Sequence, residues 1–261
     1  MKTRVISAVV LITFVVACFA ISPLTRALFL LAVIILAVRE TCNAIKAKEI
    51  TCAPAVLYIF SAAAVALIYF SADSIYTEAL FFLAIFAVVS AGVMCSHVRG
   101  QGALATLAVL VYPTVPMLII TRLALSDYWI PVFALGCITT WVCDSFALFG
   151  GKRFGKNKLA PEVSPNKTIE GSICGAISAV VAGAIICIFI DVPLLCCMIT
   201  ALIASTMGQM GDLAASLIKR WAGIKDYSNL IPGHGGAMDR IDSLLFSIPC
   251  TYFCFMIAGV I

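Results

Sequence analysis

An all-α, polytopic membrane protein of about nine transmembrane helices is predicted by three observations on this sequence. The first is composition: of 261 residues, 63% are hydrophobic and 11% charged, with mean hydropathy +1.12, which leaves too little polar surface to cover a water-soluble globule. The second is length: apolar stretches recur at 5–21, 27–43, 53–70, 79–96, 103–121, 128–149, 173–190, 193–213 and 243–261. Each is near the roughly 17–25 residues that cross a bilayer as a helix. The third is the pattern within them. Backbone groups find no water in hydrocarbon, and these runs lack the two-residue alternation of a barrel wall, so helices are the solution left.

Taken in order, the first span follows Lys2 and Arg4. Its Val-Val-Ala-Cys run ending at Cys18 superficially resembles a lipoprotein cleavage box, but cleavage there would remove a helix. The second span ends in Arg39, Glu40, Asn43 and Lys46, and the fourth in His97 and Arg99; most of these read as side chains snorkelling to the interface. Glu40 is the exception, a carboxylate able to tie the N-terminal helices to the active half through a basic partner. In the sixth span, Asp144 lies six residues before Gly150, about 9 Å inside the helix end at a rise of about 1.5 Å per residue. It needs a basic partner or a cation. On the eighth, Ser205, Gly208, Gln209, Asp212, Ser216 and Lys219 recur at steps of three or four and so share one stripe. Ser205 and Gln209 read as interhelical glue. Asp212 and Lys219 read as functional, because a charge at membrane depth costs about 2.5–3.5 kcal/mol on insertion scales.

Charge supports the count. With nine spans, fifteen of the seventeen Lys and Arg residues fall on one face, against Arg26 and Arg122 on the other, and an error of one helix would split that asymmetry. The N-terminus is therefore expected in the cytoplasm of a cell (inner) membrane and the C-terminus outside. The net charge of +4 suits anionic lipid and anionic substrates. Nucleic acid is not expected, since no basic run is interleaved with aromatics. The twelve cysteines contain no C-x-x-C pair and read as small buried apolar side chains.

The chain reads as a single integral membrane domain over 1–261, with 1–127 a helical scaffold and 128–261 the catalytic half. Segments 144–172 and 212–242 hold nine basic and seven acidic residues of the chain's thirty charges, and parity puts both on the cytoplasmic side. In the first, Gly150, Gly155 and Lys156 match G-x-x-x-x-G-K, but Asn157 stands where a P-loop has Ser or Thr and the segment follows a membrane helix, not a strand. A basic glycine turn remains, whose N–H groups and cations Lys152, Arg153, Lys156 and Lys158 are suited to phosphate oxygens. Ser164 before Pro165 reads as an N-cap with a first-turn proline, aiming a helix N-terminus with Lys167 and Thr168 at an anion, and Glu170 would close the cluster or approach a metal. In the second segment, glycines flank His234, letting backbone approach a phosphate closely. Asp239 and Asp242 are three apart, hence neighbours if this stretch opens the last helix. Two carboxylates from separate helices, such as Asp212 and Asp239, are what magnesium usually takes from protein.

The run S-L-I-K-R-W-A-G-I-K-D-Y-S-N-L-I-P-G-H-G-G-A-M-D-R-I-D, from Ser216 to Asp242, closely resembles the signature of phosphatidate cytidylyltransferases, the CDP-diacylglycerol synthases. The blocks D-S-F-A-L-F-G-G-K-R-F-G-K-N-K-L-A-P from Asp144 and S-P-N-K-T-I-E-G from Ser164 resemble others of that family, so the motifs cover roughly the C-terminal half. The resemblance implies magnesium-dependent reaction of CTP with phosphatidic acid to CDP-diacylglycerol and pyrophosphate, a nucleotidyltransferase of phospholipid biosynthesis. It implies that Asp212 and Asp239 hold the metal, with room for a second cation, and that Ser216, Lys219 and the basic residues of 152–167 contact phosphates. To substrate binding it adds Asp144, Ser164, Thr168, Glu170, Arg220, Lys225, Asp226, His234, Gly235, Gly236, Arg240 and Asp242. It also leaves room for a homodimer. Two rivals stand beside it: a CTP-dependent polyprenol kinase with similar phosphate handling, and a transporter, which lacks its usual sign of paired broken helices at the midplane.

Overall fold

The computed structural model of the chain describes residues 2–231, 233 and 235–261. Its helices are α1 (Lys2–Ile21), α2 (Pro23–Lys46), α3 (Pro54–Tyr69), α4 (Ser74–Met94), α5 (Arg99–Val109), α6 (Val115–Ala124), α7 (Trp129–Phe154), α8 (Ile169–Ile186), α9 (Leu194–Ala222), α10 (Met238–Ile241) and α11 (Leu244–Ile257). Two short strands, β1 (Lys158–Ala160) and β2 (Ser164–Thr168), separate α7 from α8. Counting Arg99–Ala124 and Met238–Ile257 as one rod each, the rods fall on the nine apolar stretches. Among the described residues, seven are long and apolar enough to cross a membrane, and Val9–Ile21 and Pro54–Tyr69 are shorter apolar helices. The chain is a multi-pass, all-α membrane protein. Its outward faces carry Phe82, Phe86, Ile177 and Val181, as lipid contact requires.

The chain divides into two compact units, residues 1–126 with 221–240, and residues 127–220 with 241–261. In the first, α2 starts on a reciprocal cap. Thr25 N–H donates to Ser22 Oγ at 3.2 Å and Ser22 N–H to Thr25 Oγ1 at 3.1 Å, with Pro23 in the first turn where its missing N–H is not needed. The core of this unit is apolar and mainly aliphatic: Leu30, Ile34 and Val38 of α2, Leu57 of α3, and Met117, Ile120 and Leu123 of α6 are buried, with one aromatic ring, Phe60 of α3, among them. Between α5 and α6 the rod widens into a π-helical turn, Leu110–Thr114, where Pro113 supplies no N–H and Tyr112 leaves helical geometry at φ −142°, ψ 114°. The turn lies inside an apolar stretch, so hydropathy passes over it, and Pro113 is the residue in the sequence that marks it.

In the second unit, helix contact rests on missing side chains. A Cβ on Gly150 would lie 2.6 Å from Cys174 Cβ, one on Gly171 2.6 Å from Ala147 O, and one on Gly175 2.7 Å from Cys143 O, so α7 and α8 touch backbone to backbone. In a membrane, where lipid tails are as apolar as Leu, this close contact is what holds helices together. Helix α9 joins the same packing. Ser172 Oγ donates to Gln209 Oε1 at 2.5 Å and Gln209 Nε2 to Cys143 Sγ at 3.2 Å, so Gln209 ties α9 to both α8 and α7. A Cβ on Gly211 would meet Asp242 O at 2.5 Å, fixing where the last rod crosses α9. Gly175→Ala should lower stability by about 1–3 kcal/mol, since a backbone carbonyl cannot step aside; thermal unfolding of the purified protein in detergent measures it.

Candidate functional site

In the second unit the site is built around the connection from α7 to α8. Lys152 and Arg153 are exposed in the last turn of α7, and Gly155 ends that helix. The chain then turns back under Glu170. Its carboxylate accepts from Lys156 N at 3.1 Å, Asn157 N at 3.1 Å and Asn157 Nδ2 at 2.8 Å. Gly155 N also donates to Gly151 O at 3.0 Å. The amides of this turn, expected to receive phosphate, are therefore committed inside the protein, and its capacity for an anion lies in the exposed cations of Lys152, Arg153, Lys156 and Lys158. Glu170 acts as the clamp of the turn.

The helix start also differs from expectation. Ser164 is not the N-cap of the following helix: it sits in β2, which pairs antiparallel with β1 through Lys158↔Thr168 and Ala160↔Ser164. Thr168 is the cap, extended at φ −124°, ψ 153°, with Oγ1 accepting from Gly171 N at 3.1 Å. Both hydroxyl residues satisfy the local capping rule, and the strand pairing decides between them by holding 164–168 extended.

That strand delivers Lys167 to Asp212 of α9, and the two form an ion pair with side chains 28% and 27% exposed. Asp144 lies within electrostatic range of both Lys167 and Asp212, and Asp242 within range of Asp212 and Lys219. Asp242 is buried and accepts from Ser243 N at 2.7 Å. Lys219, about two turns beyond Asp212 on α9, is 8% exposed, while Ser216 is half-buried. Arg220 Nε donates to Val163 O at 3.4 Å, which ties the end of α9 to the β-hairpin. Three carboxylates, Asp144, Asp212 and Asp242, thus answer two buried or half-buried ammonium groups in one unit.

The first unit holds the rest of the signature, between α9 and α10. Ile231 N donates to Gly235 O at 2.9 Å, closing a tight turn in which Gly233 and Gly235 have φ of +78° and +83°, values side-chain-bearing residues rarely adopt. His234 lies outside the described residues. Asp239 Oδ2 accepts from Tyr227 N at 2.9 Å and Gly236 N at 3.0 Å, so its carboxylate is oriented by the loop it follows. Lys225, Asp226 and Arg240 are exposed. Glu40 enters here from α2. It is 4% exposed and accepts from Ser228 Oγ at 2.6 Å, Ala237 N at 3.0 Å and Met238 N at 2.8 Å. The basic partner expected for it is replaced by a hydroxyl and two main-chain amides, and Ser228 escaped the sequence reading altogether.

Among the described residues, no three His, Cys, Asp or Glu side chains in either unit gather into a ready metal cage. Magnesium does not ask for one, since it takes one or two carboxylates and keeps water and substrate phosphate in its other positions. Each unit offers a carboxylate of that kind: Asp212 in the second, half-buried and within range of Asp144 and Asp242, and Asp239 in the first, with one oxygen already fixed by amides.

Fold and site define a polytopic helical membrane protein with buried carboxylates beside basic and glycine-rich turns. The chain belongs to the cytidylyltransferase family, whose model matches residues 2–258. It is 42% identical over 131 residues to a phosphatidate cytidylyltransferase of Bacillus subtilis, a stretch that is 49% of each chain. It is 44% identical over 127 residues to one of Haemophilus influenzae, 46% of this chain and 44% of that protein. A Staphylococcus saprophyticus protein of the same description is 41% identical over 114 residues, 43% of this chain and 44% of that one. The matched stretch thus spans about half the length of these curated relatives.

Proposed function

We propose that this chain is a phosphatidate cytidylyltransferase, converting CTP and phosphatidic acid to CDP-diacylglycerol and pyrophosphate with magnesium, at the cytoplasmic face of the cell membrane in phospholipid biosynthesis. The observation that carries this is the 42% identity over 131 residues to a relative of that description. The charge asymmetry, fifteen cations against two, supports an N-terminus in the cytoplasm and a C-terminus outside. A homodimer is part of the same reading.

In this reaction an oxygen of the lipid phosphate attacks the α-phosphorus of CTP, the bond from that phosphorus to the β-bridging oxygen breaks, and pyrophosphate departs with the electron pair. No strong base is needed, because a phosphate monoester with a second pKa of about 6 is already largely ionised. What the protein must supply is positioning of two anions that repel one another. Lys167 and Lys219 are the half-buried and buried cations for this, and Lys152, Arg153, Lys156 and Lys158 form an exposed basic rim that draws in nucleotide. Asp212 and Asp239 are the residues that would hold magnesium, which supplies neutralisation of the phosphates and of the leaving pyrophosphate. The acyl chains stay in lipid while CTP arrives from water.

The test is the detergent-purified protein given CTP and phosphatidic acid, with dCTP as a competing nucleotide. CDP-diacylglycerol should form, stop on chelation with EDTA and return with added magnesium. Product formation indifferent to EDTA would remove the metal from the account, and failure to form any cytidylylated lipid would remove the activity.

A further inference from the structure

We infer that Glu40, near the end of α2 and far from every signature motif in sequence, is a positioning residue for the proposed transfer: it sets the backbone of the glycine loop that carries Asp239. The inference rests on the function proposed above and on contacts within one unit. A carboxylate 4% exposed has to be matched by donors, and Glu40 is matched by three, Ser228 Oγ at 2.6 Å, Ala237 N at 3.0 Å and Met238 N at 2.8 Å. These donors bracket the turn from Ile231 to Gly235 on both sides. Ser228 carries the restraint one step further, since its Oγ also accepts from Leu230 N at 3.2 Å.

Gly236 shows how close the fit is. A Cβ there would lie 2.5 Å from Glu40 Oε2 and 2.6 Å from Oε1, so the loop's backbone is pressed against the carboxylate. The same residue's N–H donates to Asp239 Oδ2 at 3.0 Å. Gly236 is thus the hinge between two carboxylates: Glu40 holds the main chain, and that main chain aims Asp239. Alanine at 236 meets no left-handed backbone, only Glu40, so the two positions are coupled through one contact.

The experiment is a double-mutant cycle on the full-length protein in detergent, with Glu40→Ala, Gly236→Ala and the pair, read by kcat and KM and by amide hydrogen exchange over 227–240. Glu40→Gln is added because it keeps the size and replaces one acceptor oxygen with a donor. Each single change should lower kcat about tenfold or more with KM for CTP moved less than about threefold, because alignment and not nucleotide affinity is lost. Exchange at Ala237 and Met238 should quicken about tenfold or more in Glu40→Gln. In the pair, Gly236→Ala should add less than about threefold to Glu40→Ala, since the collision partner is gone. Should Glu40 variants fail to fold, Ser228→Ala removes one bond of three and should give the same pattern at a few-fold scale. Fully additive losses, or exchange unchanged in Glu40→Gln, would overturn the inference. A wild-type chain without activity but with quickened exchange in Glu40→Gln would overturn the proposed function while leaving the anchoring intact.

Discussion

Asp212→Asn is expected to abolish magnesium-dependent transfer, by about 10²–10³-fold or more in kcat, while the protein still folds and inserts. The two halves of that expectation have different grounds. As a structural feature, the Lys167–Asp212 pair is partly buried, with side chains 28% and 27% accessible, but Asp144 stays within range of Lys167 as a second counter-charge when Asp212 loses its own. Asparagine keeps the shape and a hydrogen-bond acceptor for Lys167. As a functional feature, the carboxylate pairs with Lys167 and lies within electrostatic range of Asp144 and Asp242, so removing its charge changes the field of the whole cluster. Unfolding temperature and kcat on the same preparation separate the two: a parallel collapse of both would make Asp212 a structural residue, and retained activity would end its proposed role as ligand.

Asp239→Asn should cost a similar factor, and here the contrast with Asp239→Ala is informative. Asp239 Oδ2 accepts from both Tyr227 N and Gly236 N, at 2.9 and 3.0 Å. The amide oxygen of asparagine can accept from the same two donors, so Asn removes charge and leaves the loop in place. Alanine removes both, and two amides that lose their acceptor cost about 1–3 kcal/mol each where water cannot replace it. Transfer should therefore fall about 10²-fold or more in both variants, with hydrogen exchange at Gly236 unchanged in Asn and quickened in Ala. Equal exchange in the two would mean that the loop does not depend on this carboxylate.

The apolar stretches were legible because hydropathy alone marks them: among the described residues each falls on a helical rod, and seven of those rods are long and apolar enough to cross a membrane. The irregular turn at Leu110–Thr114 was not legible in hydropathy, which averages over five residues, although Pro113 is a sequence mark of a break in the helix. Nor was the β-hairpin. Two capping hydroxyls, Ser164 and Thr168, stand four apart, and the proline after the first favoured it locally, whereas the pairing of 164–168 with 158–160 is a tertiary fact. Glu170 was read as a metal or cluster residue because its true partners, the amides of Lys156 and Asn157, carry no side-chain signature. Glu40 stands out in the sequence as a carboxylate able to tie helices together through a basic partner, but its partners are a hydroxyl and main-chain donors nearly two hundred positions away, which residue type does not reveal. Acidic and basic residues can be picked out from sequence, but what satisfies them is decided by backbone that any residue could supply.

The most direct measurement is the fate of label from CTP incubated with phosphatidic acid and the purified protein. Label on the α-phosphate should appear in the lipid as CDP-diacylglycerol, and label on the γ-phosphate should leave in pyrophosphate. Transfer of the γ-label alone would identify a lipid kinase and contradict the account.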